Sequence, residues 1–127
     1  MGNGGCSHCA RHQFDRVGPA LVYAYQHHGF RAVKIGVTSD LSRGRRLSEM
    51  RNGGWHQLKT WLCEPGELAL TIERAVLVEM RFRCGPQPFL RPEDMPMGGH
   101  TETFDALVVE PSDLVGLINE AWLQTAN

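Results

Sequence analysis

A chain of 127 residues, 42% hydrophobic and 21% charged, is the size of one ordinary domain and can bury a core without staples. It has no apolar run long enough to span a membrane and no basic, apolar leader, which excludes a membrane-spanning class and leads us to expect a cytoplasmic protein. The net charge of -1 conceals an asymmetry, nine Lys/Arg against three Asp/Glu in residues 1–60 and four against eleven in 61–127, so that the first part suits a polyanion such as nucleic acid.

Taken in chain order, residues 1–19 are glycine-rich and aperiodic, and read as a flexible or zinc-bearing segment ahead of a domain over 20–127. Residues 21–26, LVYAYQ, and 31–38, RAVKIGVT, alternate in character and are joined by a short connection containing Gly29, which predicts an antiparallel hairpin. For the hairpin to bury one side, Val22 and Ala24 must share a face with Val33 and Ile35. Pairing Val22 with Ile35 and Ala24 with Val33 achieves this, leaves a four-residue loop and sets Tyr23 opposite Lys34. Ser39 or Asp40 then caps a helix over LSRGRRLSEMR, stopped by Asn52-Gly53-Gly54. A third strand is expected from Trp55 to Cys63. Pro65-Gly66 opens a long helix that ends at Cys84-Gly85-Pro86. Residues 85–100, with four prolines and three glycines, form an irregular loop. TETFDALVVE supplies a short strand, and Ser112 caps a last helix through Trp122.

Several residues along this path bear on chemistry. Arg43, Arg45 and Arg46 share one helix with Arg51 at its end, and guanidinium groups suit bidentate phosphate contacts. Lys59, on the third strand, is a further candidate for nucleic-acid binding. Glu73 has Ala69, Leu70, Val76 and Leu77 three and four positions away, so in a helix it interrupts an apolar face. A carboxylate there must be paired, hydrogen-bonded or bound to metal. Glu79, by contrast, has Arg83 four residues on and reads as a surface pair. Cys6, Cys9 and His12 place soft ligands within seven residues, a set chemically suited to Zn²⁺. Without an export signal, the four cysteines are expected as reduced thiols or metal ligands and not as a disulfide framework.

Leu21-Val22-Tyr23, Lys34-Ile35-Gly36, an arginine-bearing helix and a glutamate early in a longer helix together resemble the GIY-YIG nuclease superfamily. The chain is most similar to the phage-associated branch, whose second motif begins with Lys and in which a Glu-x-Phe element follows the long helix, here Glu102 and Phe104. The resemblance covers roughly residues 20–105. It implies an α+β fold, a small three-stranded antiparallel sheet flanked by helices, and hydrolysis of a phosphodiester bond with one divalent metal ion, Mg²⁺ or Mn²⁺. On that likeness Tyr23 helps to activate water, Lys34 lends it a cation, Arg46 stabilises phosphate charge with Arg43 as its rival, and Glu73 holds the metal. The asparagine expected late in many active members has no counterpart here.

Three functions follow as expectations. The first is a metal-dependent DNA endonuclease of phage or mobile-element type, its selectivity low or supplied by a protein partner. The second is a catalytically inactive module of the same fold that binds nucleic acid or protein, and the third a zinc-stabilised interaction domain centred on Cys6 and Cys9.

Overall fold

The computed structural model describes residues 14–39, 45–96 and 98–125. Strand β1 (Ala20–His27) pairs antiparallel with β2 (Ala32–Thr38), and on its other side with β3 (His56–Cys63). Four residues, His28 to Arg31, connect β1 and β2. The turn is set by His27, whose Nδ1 accepts from the Phe30 amide at 3.1 Å, and by Arg31, which takes a positive φ of 53°. With Nδ1 so occupied, Nε2 is the protonated ring nitrogen, and it donates to the Gly53 carbonyl at 3.0 Å. One imidazole thereby ties the hairpin turn to the turn ahead of β3.

This turn moves the hairpin register by two residues from the expected one. Tyr23 faces Gly36, Ala24 faces Ile35, and Tyr25 faces Lys34. The pairing of Tyr23 with Lys34 is therefore corrected. Alternation fixes only which side chains share a face, and registers two residues apart satisfy it equally. The positive φ at Arg31 and the imidazole cap select between them.

The expected three-stranded sheet is also corrected, to four strands in the order β3-β1-β2-β4. Strand β4 (Thr103–Asp105) lies antiparallel along β2, with Thr103 opposite Lys34 and Phe104 opposite Val33. It is only three residues long because Asp105 ends it: its carboxylate accepts from the Leu107 amide at 2.9 Å and turns the chain away. A three-residue strand offers too little alternation to show its place in a sheet.

Helix α1 (Arg45–Asn52) ends as expected at Gly53 and Gly54, the latter at φ 91°. Helix α2 (Glu67–Cys84) follows Pro65-Gly66 as expected. Helix α3 (Pro111–Thr125) starts one residue before Ser112, with proline at its first position, where a missing amide costs nothing. The Asp113 carboxylate accepts from the Glu110 amide at 3.2 Å, so the cap is Glu110 with Asp113 and not Ser112.

The sheet separates two clusters. On one face Ala20, Val22, Ala24, Val33 and Ile35 pack against Ala69, Ile72, Val76 and Met80 of α2 and Leu114 and Ile118 of α3. Each of the larger aliphatics buried there contributes about 1.5–3 kcal/mol. On the other face Tyr23 and Tyr25 pack against Met50 of α1, Trp55, and Leu90 and Met95 of the long loop. Residues 14–19 also belong to the folded unit, since the Gly18 and Arg16 carbonyls accept from the Gly66 and Glu67 amides at 2.6 and 2.9 Å. These bonds satisfy two of the donors left open at the start of α2.

Candidate functional site

The tyrosine face of the sheet carries Tyr23 of the first hairpin motif and Lys34 and Gly36 of the second. The Tyr23 ring lies directly over Gly36, so closely that a Cβ on Gly36 would overlap the end of the phenol. Glycine is required at this position for close approach and not for turn geometry. Tyr25 stands edge-on to Tyr23 with ring centroids 5.4 Å apart. Its hydroxyl donates to Gln57 Oε1 at 3.2 Å, and the Arg51 guanidinium lies beside it. Gln57 stands opposite Tyr25 because β3 changes register between its pairings with Ala24 and Tyr25, leaving Leu58 as an extra residue, while Arg51 comes from α1. No sequence signal announces that bulge.

Burial pushes the Tyr25 phenol above its ordinary value of 10.0, and the positive Arg51 only partly offsets this. A proton held more tightly in the folded state stabilises the fold below the ordinary value, and that contribution is lost as pH rises through the raised one. The thermal midpoint is therefore expected to fall more steeply above about pH 10 in the wild type than in Tyr25→Phe. Equal slopes in the two proteins would remove Tyr25 from this role.

Lys34 is not an exposed strand lysine. It is 1% exposed, and its ammonium donates to the Gly99 carbonyl at 2.9 Å and the Ile35 carbonyl at 3.4 Å. Glu102 Oε1 stands 3.6 Å from Nζ, and the other carboxylate oxygen accepts from the Thr101 hydroxyl. Burying an ammonium requires such partners. Strand β4 and the turn of Gly98 and Gly99, at φ 91° and 90°, deliver them. The lysine of the second motif and the late Glu-x-Phe element are thus physically joined. Phe104 is core, while Glu102 orders the loop end over Lys34.

The remaining candidates are distributed as follows. Arg43 lies outside the described residues, and of Arg45 and Arg46 only the helical backbone is described. Arg51 is exposed and donates to Ser48 Oγ at 3.2 Å. Lys59 belongs to the opposite face: it lies over the Trp61 ring, 5.3 Å from its centroid, and donates to Asn119 Oδ1 at 3.4 Å. Glu73 is half-buried on α2, the helix that covers the aliphatic face, with Ala69 and Val76 buried beside it. The structure brings Tyr23, Gly36, Lys34 and Glu102 to one face and sets Glu73 on the helix packed against the other. Glu79 and Arg83 pair at 2.9 Å as expected.

Cys6, Cys9 and His12 lie outside the described residues. Cys63 and Cys84 are free thiols whose pKa burial raises, keeping them protonated and poor metal ligands. Among the described residues no three His, Cys, Asp or Glu side chains gather as a metal cage. A single protein carboxylate, here that of Glu73, still suits Mg²⁺, which is commonly held by one or two carboxylates with water and substrate phosphate completing the shell. No helix of the described residues is long and apolar enough to cross a membrane. Comparison with known protein families, curated proteins and solved structures finds no match to this chain.

Proposed function

We propose that the chain is a divalent-metal-dependent endonuclease of GIY-YIG type that hydrolyses phosphodiester bonds in DNA. The observation that carries this reading is the contact of Tyr23 with Gly36 beside the Lys34–Glu102 pair. It unites on one face the first, second and last sequence motifs of the resemblance. The basic helix α1 packs on that same face through Met50, which supports a phosphate-binding role for its arginines.

In this reading Tyr23 orients the attacking water and, in its phenolate form, accepts the water's proton as the oxygen bonds to phosphorus, while the P–O ester bond opposite it breaks and the departing oxygen takes a proton from solvent. A phenol with an ordinary pKa of about 10 is a weak base at neutral pH, so it depends on positive charge around it. Arg46 neutralises charge developing on the phosphate, and Arg43, Arg45 and Arg51 hold the DNA backbone. Glu73 would hold Mg²⁺ or Mn²⁺, which supplies Lewis-acid stabilisation to the phosphate when bound. Lys34 serves as an anchor for the loop end in place of a free cation. Lys59, on the far face, has no part in this.

A second reading is a binding module of the same fold without catalysis. It is favoured by the burial of Tyr23, also 1% exposed, and by the sheet standing between Tyr23 and the helix of Glu73. Supercoiled plasmid incubated with the protein in Mg²⁺, and in parallel with EDTA, separates the two. Mg²⁺-dependent nicking supports the endonuclease. Salt-sensitive DNA binding that survives EDTA, with no nicking at any protein concentration, supports the module. A zinc-stabilised domain rests on Cys6, Cys9 and His12 and is decided by the metal content of the purified protein.

A further inference from the structure

Helix α2 presents Glu67, Thr71, Arg74, Val78 and Phe82 at intervals of three and four, so they form a single ridge, and all five are exposed. Val78 is 66% and Phe82 86% exposed, one turn apart and on the side away from the buried Ala69, Ile72, Val76 and Met80. The two neighbours of α2 lie along its flanks. Helix α3 borders it at Ala75, Val76 and Glu79, and the loop end meets it where Arg81 donates to the Thr101 carbonyl at 3.4 Å. Neither covers the ridge. An exposed phenylalanine beside an exposed valine on a regular helix face adds nothing to this fold, and such a patch marks a contact surface.

We infer that this ridge is the interface of a homodimer, in which α2 packs antiparallel against α2 of a second copy across a two-fold axis near Val78. The order of residues along the ridge makes it complementary to itself in one orientation. Arg74 and Phe82 lie four residues to either side of Val78, so antiparallel pairing sets each Arg74 against the partner's Phe82, where guanidinium and ring attract. Parallel pairing would oppose Arg74 to Arg74. A two-fold axis makes the patch its own complement, as an isologous contact requires. The helix dipoles also oppose one another in this arrangement. At a net charge of -1 two copies do not repel each other as wholes. A ridge with two apolar side chains falls short of the roughly 800 Å² per partner of a standard interface, so the dimer forms and dissociates with concentration.

Sedimentation velocity on the full chain tests this without reference to nuclease activity. The weight-average mass is expected to rise from 14.2 kDa towards twice that over roughly 1–500 µM, the range suited to a small interface. Phe82→Glu should remain monomeric throughout, and Arg74→Glu should raise the dissociation constant about ten-fold, the size of the two symmetry-related exposed cation–π contacts. Leu107→Glu, at a position 72% exposed elsewhere on the surface, should dimerise like the wild type. Because Phe82 is exposed, its replacement leaves the core intact, and an unchanged circular dichroism spectrum verifies that. A wild type that stays monomeric to the highest concentration overturns the proposal, as does a dimer that Phe82→Glu leaves unaltered.

Discussion

Replacing Glu73 by glutamine is expected to lower Mg²⁺-dependent plasmid nicking at least about 100-fold while leaving DNA affinity within a few-fold of wild type. The substitution keeps the shape and hydrogen-bonding capacity of the side chain and has nearly the same helix propensity, so α2 should persist. What it removes is the negative charge that a hard divalent cation needs from the protein. Since Glu73 interrupts an otherwise apolar helix face beside Ala69 and Val76, a neutral amide is no harder to bury than the carboxylate. DNA affinity is carried by arginines and responds to salt instead of metal. Nicking by Glu73→Gln at the wild-type rate would remove Glu73 from the site and leave the carboxylate with a structural role.

The scaffold was legible in the sequence to the extent that single residues dictated it. The alternation of LVYAYQ and RAVKIGVT sufficed for two paired strands, and the face shared by Val22, Ala24, Val33 and Ile35 is the buried aliphatic one. Gly53-Gly54 and Cys84-Gly85 stop their helices where expected. The register was not legible, because alternation repeats every two residues and says nothing of the turn. The choice rests on His27 and the backbone of Arg31, and no periodic signal carries either.

The candidate site was legible as a set of motifs and not as a geometry. Alternation set Lys34 opposite Tyr23 as a cation for its phenol, whereas it pairs with Tyr25 and is buried against Gly99 and Glu102. That contact spans 65 residues and depends on β4, three residues long. Likewise the pairing of Tyr25 with Gln57 follows from an extra residue in β3. Glu73 shows the converse. Its spacing against apolar neighbours correctly marked a carboxylate half-enclosed on a helix, but spacing along one helix cannot say which side of the sheet that helix covers.

Gly36 offers the sharpest conflict between local propensity and packing, and Gly36→Ala should destabilise the fold by about 1–3 kcal/mol, with Gly36→Val costing more. Intrinsic preference argues the other way, since glycine is a poor strand residue and both replacements are better ones. The Cβ they add, however, meets the Cε1, Cζ and hydroxyl of Tyr23. A ring at the surface would swing aside, but Tyr23 is enclosed in a cluster with Tyr25, Met50, Trp55 and Met95. The overlap must therefore be relieved by moving the strands or by opening that cluster. Denaturant unfolding of the single variants measures the loss, and a double-mutant cycle assigns its cause. Tyr23→Leu removes the atoms that collide, so Gly36→Ala should cost less in that background than alone, with a coupling of about 1 kcal/mol or more. Additive effects would place the phenol away from Gly36. The proposed endonuclease would then lose the contact that joins its first two motifs.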